Sequence, residues 1–329
     1  MKQLRATILG AITLLAAQAA LAAPVSGLYQ VREPLANVTE EAKSEAFARA
    51  FVTLMQRLTG TADSVNNRTL AAQMANPKNL ALGYTYQEDE LQVSFDPASV
   101  MQVLREAQVP VWGSDRPVLL LWWVQEGLQG RQLLGDGQNR SLNLQQAGLH
   151  RGLPIRFPLA DLSEQVQADQ SFSNTAEQVP ELLKRYGADT LLVVESKDDA
   201  SGISGSWQLL DNDKSLAGNL AGSDPMAAAD EMFQTLAQAL ARDYAIVPGQ
   251  GDAVLVRLQG LDLEGMLDAE RALQVFDGRL LSLDGDEAVW QVTALTEQLR
   301  SQLALYQFRQ LPAADDDEHA AVSELVFVR

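Results

Sequence analysis

Two nearly unbroken apolar runs constrain the fold of this chain more than any other feature. Residues 117–124 read PVLLLWWV, and residues 190–195 read TLLVVE. A strand whose side chains are almost all apolar is buried on both faces, as in a partly parallel sheet that helices cover on both sides. Helical patterns alternate with strand patterns around the two runs. We therefore expect a central mixed α/β sheet domain at residues 113–247.

Smaller α+β patterns flank the central domain on both sides. Residues 23–112 predict a strand, a helix that ends at Gly60, a hairpin and a further helix. The sequence PGQGD at residues 248–252 has the composition of a linker. Beyond it, residues 252–329 predict the order β-α-β-β-α-β of a ferredoxin-like unit. The predicted fold class is therefore α/β and α+β, with several domains in one chain.

Residues 1–22 have the order of a secretory signal peptide. Lys2 and Arg5 precede an Ala-rich apolar run, and Ala20, Leu21 and Ala22 then supply a small-x-small cleavage site. The run is shorter than the roughly 20 residues that a membrane span needs, so we predict cleavage near Ala22. No Cys follows to carry a lipid. We expect a soluble periplasmic protein with no lipid anchor and no transmembrane segment in the mature chain.

Composition argues against several classes of function. Lys and Arg number 25 against 43 Asp and Glu, a formal charge of −18 that repels nucleic acid. With no Cys and only two His, the chain cannot build a Cys-based zinc site or a thiol nucleophile. We expect no metal and no cofactor, and we assign no catalytic residue.

The remaining candidates for chemistry each have a simpler structural explanation. His150 is predicted at a helix C-terminus, where the helix dipole favours a cationic imidazole. His319 ends an acidic run, DDDEH, that lacks the ligand spacing of a calcium loop. Four carboxylates lie near strand or helix ends of the central domain, where open α/β sheets often bind ligands: Asp161, Glu164, Asp189 and Glu195. Helix caps and surface charge account for these carboxylates as well.

Trp112 is the candidate for a partner-binding surface. It stands beside the joint between the first and the central unit, whereas Trp122 and Trp123 lie within the apolar run of the core strand. Aromatic side chains are favoured anchors at protein interfaces. We therefore expect Trp112 to be partly exposed and to mark a surface that contacts another protein.

Three groups of residues, in order after a signal peptide, resemble a known family. They are LYQV at residues 28–31 with the helix at 46–60, RGLP and FPLAD within 151–161, and YGADTLLV at 186–193. Together they resemble an uncharacterised family of exported proteobacterial proteins, the domain of unknown function 2066, over most of the mature chain. The central domain is also similar in element order to the TolB amino-terminal domain and to activators of penicillin-binding proteins, which bind protein partners. The resemblance implies no catalytic residue.

The polar and glycine positions in these motifs have expected structural roles. Arg151 is expected to pair with Asp161 or with a helix carboxyl end, and Gly152 belongs to a turn that delivers a short strand. Asp161 is expected to cap the helix that follows it. Gly187 ends a helix, and Asp189 precedes the buried strand.

The expected function is a non-enzymatic one. Small α/β modules joined by a linker present much surface, and no catalytic constellation stands out, so we expect an accessory protein that binds another envelope protein. Two alternatives stay open. One is a carboxylate-based enzyme that acts on cell-wall glycan, and the other is a protein that binds a glycan or a small ligand.

Overall fold

Three sheets, each with its own hydrophobic core, follow one another along the chain. The structure is a computed structural model. It describes residues 25, 27–87, 89–127, 130–169, 179–199, 201–210, 215–247, 250–312 and 323–329. The predicted signal peptide at residues 1–22, the acidic run with His319 and part of the PGQGD linker lie outside the described residues.

The first unit combines helices with a three-stranded antiparallel sheet. Its elements are β1 (Gln30–Pro34), α1 (Glu40–Thr59), α2 (Arg68–Met74), β2 (Ala81–Gln87), β3 (Glu90–Phe95) and α3 (Pro97–Ala107). The strand order is β1-β3-β2, which leaves β2 at an edge. Helix α1 begins after Thr39, whose hydroxyl accepts the N–H of Ala42, and ends at Gly60 in the left-handed conformation. Its buried face, which includes Phe47 and Leu54, belongs to the core of this unit.

The central unit contains the mixed sheet that the apolar runs predict. Its elements are β4 (Leu119–Gly127), β5 (Gly130–Leu133), α4 (Asn139–His150), β6 (Ile155–Arg156), α5 (Leu162–Asp169), α6 (Val179–Tyr186), β7 (Thr190–Asp199), β8 (Gly202–Leu210), β9 (Ser215–Gly222) and α7 (Pro225–Tyr244). The strand order is β5-β4-β7-β8-β9, with β6 also paired to β4. Strand β4 runs parallel to β6 and β7, and the other pairings are antiparallel.

Strand β4 is buried on both faces because successive side chains enter different cores. Leu119, Leu121 and Trp123 pack with α7 in one core cluster. Leu120 and Trp122 belong to a second cluster on the opposite face of the sheet. The all-apolar sequence of this strand therefore follows from helices that cover both sides of the sheet.

The third unit has the predicted β-α-β-β-α-β order with one added strand. Its elements are β10 (Asp252–Gln259), α8 (Leu263–Gln274), β11 (Arg279–Asp284), β12 (Glu287–Ala294), α9 (Thr296–Leu305), β13 (Arg309–Gln310) and β14 (Ser323–Val328). The strand order β11-β12-β10-β14-β13 places the first and last long strands side by side. Strand β14 runs parallel to β10, whereas a plain β-α-β-β-α-β unit would make these two strands antiparallel. The short β13 reverses the chain direction before β14 begins.

The predicted fold class, α/β and α+β in a multi-domain chain, is confirmed by these three mixed or antiparallel sheets. Helices of the described residues are all too short or too polar to cross a membrane.

The first and central units are joined by close backbone contacts. Val111 and Ile246 exchange two backbone hydrogen bonds of 2.9 Å each, which places the end of the first unit beside the segment that follows α7. The N–H of Trp112 donates to the carbonyl of Leu58 over 2.6 Å. A Cβ added at Gly60 would lie 2.0 Å from the Cβ of Ala241 on α7. The C-terminus of α1 thus packs directly on α7.

Replacement of Gly60 by Ala tests this contact, and Gly137→Ala is a matched control. Both glycines have positive φ, but a Cβ at Gly137 would meet nothing within 4 Å. Gly137→Ala should lower the free energy of unfolding by about 1 kcal/mol, from left-handed backbone strain alone. Gly60→Ala should lower it by about 2 to 4 kcal/mol, because overpacking against Ala241 adds about 1 to 3 kcal/mol. Urea unfolding measures both values, and equal losses would contradict the contact.

Candidate functional site

The structure places Trp112 inside the protein, so the prediction that it is partly exposed is wrong. Its side chain is 1% exposed. The ring stacks on Tyr244 with centroids 6.2 Å apart, and the guanidinium of Arg116 lies 4.0 Å from the ring centroid. The joint that the sequence marks is a packed interface between two units, and the aromatic side chain beside it fills that interface. Trp112 therefore contributes no exposed surface to which a partner could bind.

Arg116 is fully buried beside Trp112 and holds the joint together. Its guanidinium donates to the backbone carbonyls of Gly113 and Trp112 over 2.8 and 2.9 Å. It also donates to the carbonyl of Gly152 over 2.9 Å and to that of Arg57 over 2.5 Å. Burial lowers the pKa of Arg116 to about 9, and the charge of Arg57 acts in the same direction. The guanidinium is still charged at neutral pH, so all four carbonyls receive charge-assisted hydrogen bonds.

Arg57, on α1, makes a second set of contacts at the joint between the first and central units, which we call the junction. Its guanidinium donates to the carbonyl of His150 over 2.8 Å, and to the carbonyls of Gln30 and Leu28 over 2.7 and 3.2 Å. Burial lowers its pKa to about 10, although the carboxylate of Glu33 opposes this effect. One buried side chain therefore joins α1, the start of β1 and the end of α4.

A buried carboxylate faces the same junction. The hydroxyl of Thr53 donates to Glu33 Oε1 over 2.6 Å, and His150 Nε2 lies 3.5 Å from the same oxygen. Burial acts to raise the pKa of Glu33. The hydrogen bonds that its carboxylate accepts from His150 and Thr53, together with the nearby positive charges, outweigh burial and lower the pKa. His150 is the last residue of α4. Its side chain thus contacts the first unit.

Arg151 and Gly152, from the RGLP motif, also serve this junction. The Arg151 guanidinium pairs with Asp230 on α7, with Nε donating to Oδ1 over 2.7 Å. The expected partner of Arg151, Asp161, pairs instead with Arg185 over 2.9 Å. Proximity in the sequence suggested the pairing of Arg151 with Asp161, but the fold brings α7 closer to Arg151. Gly152 has φ +76°, and a Cβ there would lie 2.5 Å from Arg116 Nη1. Only glycine leaves room for the buried guanidinium.

The other motif residues organise the ends of helices and strands. Asp161 caps α5, since its Oδ1 accepts the N–H of Glu164 over 3.0 Å. Hydrogen bonds from Ser163 and from the Glu164 N–H, and then from Arg185, hold the pKa of Asp161 well below its ordinary value. Gly187 follows α6 with φ +55°.

Asp189 connects α6 to the buried strand β7. Its carboxylate accepts the N–H of Val118 over 2.7 Å, and its own N–H donates to the carbonyl of Val118 over 2.9 Å. These bonds align β7 with the start of β4. The role of Asp189 in the fold is therefore to set the position of the two parallel strands.

The two remaining candidate carboxylates, one in α5 and one in β7, are engaged with neighbouring side chains. Glu195 pairs with Arg131 over 2.7 Å. Glu164 is buried, accepts a hydrogen bond from the Tyr186 hydroxyl over 2.5 Å and lies 3.1 Å from Arg185. Within the described residues, no group of three or more His, Asp or Glu is placed to hold a metal ion.

Strand β2 is an exposed surface that the sequence analysis did not single out. Leu82, Tyr84 and Tyr86 are 71%, 49% and 40% exposed. Tyr84 is paired with Val93 and Tyr86 with Leu91 on β3, and both of these partners are buried in the core. Directly opposed residues share a face of the sheet, so the tyrosines extend the core-facing side beyond the cover of α1.

Side chains from α1 and from the segment before β2 border this surface. The rings of Tyr84 and Tyr86 lie 5.5 Å apart, and Phe47 meets Tyr84 edge-on at 5.0 Å. The ammonium of Lys43 lies 5.2 Å from the Tyr86 ring, and that of Lys78 lies 5.0 Å from the Phe47 ring. We call Leu82, Tyr84 and Tyr86 with the free edge of β2 the β2 surface. The alternation of two tyrosines on a hairpin strand was the available signal for it.

Comparison with known proteins finds one match. Residues 22–113 match the model of a family described as a domain of unknown function, DUF8605, and this segment corresponds to the first unit. No curated protein and no solved structure matches the chain. The match agrees with the expectation of a family without an assigned function. It is a different family from the one that the motifs resemble, and the motifs at 151–161 and 186–193 lie outside the matched segment.

Acid should weaken the fold through Glu33. A carboxyl whose folded pKa is lowered stabilises the protein above its ordinary pKa of 4.5, and this contribution is lost as the pH falls through the folded value. When the pH falls from neutral to below this ordinary value, Glu33→Gln should therefore lose less unfolding free energy than the wild type. Urea unfolding at each pH measures the difference.

Thr53→Val supplies the matched comparison, because it removes one donor to the same carboxylate and leaves the charge. This variant should be less stable than the wild type at neutral pH, and the difference should shrink in acid. Parallel pH profiles for wild type and Glu33→Gln would show that Glu33 does not carry this dependence.

Proposed function

We propose that this chain is a non-enzymatic accessory protein of the bacterial cell envelope, and that it binds an extended segment of a partner protein at the β2 surface. The observation that carries the proposal is an edge strand whose outer side pairs with no other strand of the described residues and whose residues from Leu82 to Gln87 are exposed. Natural proteins commonly protect such edges, and an open apolar edge is a ready template for another strand.

Addition of a strand would complete two features of the first unit. Its sheet has three strands, so a fourth beside β2 would satisfy the outward-facing backbone groups of that strand. Apolar side chains of the added strand, at every second position, would cover Tyr84 and Tyr86. The backbone bonds would supply affinity, and the tyrosine pair would select apolar residues.

The envelope location rests on the sequence. Residues 1–22 have the order of a signal peptide, and the chain contains no Cys, which suits an oxidising compartment. The resemblance to exported proteobacterial proteins of domain 2066, and in the central domain to TolB-like accessory modules, supports the same location and a protein partner. Export is testable by N-terminal sequencing of the protein from a periplasmic fraction, with Ala23 expected as the first residue.

Site-specific photo-crosslinking in cells tests the β2 surface. Benzoylphenylalanine at position 84 replaces one aromatic ring with another and should give one discrete adduct. The matched control is position 283 on β11, which is also an exposed edge strand, with Leu283 56% exposed. The control position should give no such adduct.

A second substitution distinguishes specific docking from chance contact. Tyr86→Lys places a charge on the β2 surface and should reduce the adduct at position 84 by about tenfold, because a charged edge opposes strand addition. Circular dichroism should be unchanged. Equal adducts from positions 84 and 283, or an adduct that survives Tyr86→Lys, would contradict the proposal, and an adduct of twice the chain mass would identify a second copy as the partner.

A further inference from the structure

A cavity of about 460 Å³ lies where the three units meet, away from the β2 surface. Met101 and Arg105 line it from α3, Asp115 from the joint, Tyr244 from the end of α7 and Gln302 from α9. Small-molecule sites usually have volumes of about 300 to 1,000 Å³ and often lie between domains. The cavity therefore has the size and the position of a ligand site.

Gln302 adds a polar group to the same cavity. It is 4% exposed and lines the cavity from α9. A side-chain amide can both donate to and accept from a ligand.

Asp115 adds a negative charge to the same cavity. Burial raises the pKa of Tyr306, and the charge of Asp115 and a hydrogen bond to it raise this pKa further. The Asp115 carboxylate therefore lies close to the Tyr306 hydroxyl. A carboxylate accepts several hydrogen bonds, so Asp115 can also accept from a ligand ammonium group.

Two further lining residues add charges of both signs to the cavity. Arg105 and Asp277 are exposed, and neither side chain has an ion-pair partner among the described residues. Val111, Ile246 and Val275 supply apolar wall to the same cavity. Two carboxylates against one guanidinium disfavour a simple anion.

We infer that this cavity binds a small zwitterionic molecule of the amino-acid or short-peptide class. The ligand ammonium group pairs with Asp115, its amide pairs with Gln302, its carboxylate pairs with Arg105, and an apolar side chain packs on Val111 and Ile246. Charge-assisted bonds at both ends set the orientation, and the apolar wall contributes affinity. This inference is independent of the partner proposed for strand β2.

Isothermal titration of the purified protein with the dipeptide Ala-Leu tests the inference. N-acetyl-Ala-Leu lacks the ammonium charge, and Ala-Leu amide lacks the carboxylate. We expect measurable binding of Ala-Leu and about tenfold weaker binding of each blocked form, as for the loss of one charge-assisted bond. No heat with Ala-Leu at millimolar concentration, or equal binding of all three probes, would overturn the inference.

Variants assign each end of the probe to a residue. Arg105→Gln should weaken the binding of Ala-Leu about tenfold and leave the binding of Ala-Leu amide unchanged. Asp115→Asn should weaken the binding of Ala-Leu about tenfold and leave the binding of N-acetyl-Ala-Leu unchanged. Arg68→Gln on α2 is the matched control, since this arginine is exposed and outside the cavity. An equal loss in the control would overturn the assignment.

Gln302→Leu separates a binding role from a structural one. If the amide serves a ligand, the variant should keep or raise the melting temperature while it weakens Ala-Leu. If it unfolds, the Arg105 and Asp115 results decide the inference alone. Tyr84→Lys on the β2 surface should leave Ala-Leu binding unchanged, so failure at one site is distinguishable from failure at the other.

Discussion

The buried guanidinium of Arg116 is the interaction on which the arrangement of the first two units depends. Burying a charged group away from water costs free energy unless hydrogen-bond partners inside the protein replace the water. Arg116 meets this requirement with carbonyls from Arg57 in the first unit, Gly152 in the central unit and Trp112 and Gly113 at the joint. All four segments must be in place before the guanidinium is satisfied, so the contact couples the positions of the units.

The need to satisfy the buried guanidinium of Arg116 also explains which residues surround it at the junction. Gly152 leaves space for the guanidinium, Trp112 lies against its face, and Arg57 joins α1 to the carbonyl of His150 at the end of α4. Most of the polar motif residues are therefore used in building the fold. The two sites that we propose lie away from this network, at the edge strand of the first unit and in the cavity beside the third.

The two proposed sites differ in how the fold produces them. The β2 surface exists because a three-stranded sheet extends beyond α1, so Tyr84 and Tyr86 lie on a core-facing side that is only partly covered. The cavity exists because three separately packed units meet without filling the space between them. A macromolecular segment suits the first, and a small polar molecule suits the second.

Local sequence determined most of the fold but little of the sites. The all-apolar run of β4 predicted burial on both faces, and Gly60 predicted the end of α1, because periodicity and capping act over a few residues. The parallel direction of β14, the pairing of Arg151 with Asp230 and the burial of Trp112 depend on segments far apart in the chain. Only the packed tertiary structure decided which side chains face water, which is why Trp112 lies inside while Tyr84 is exposed.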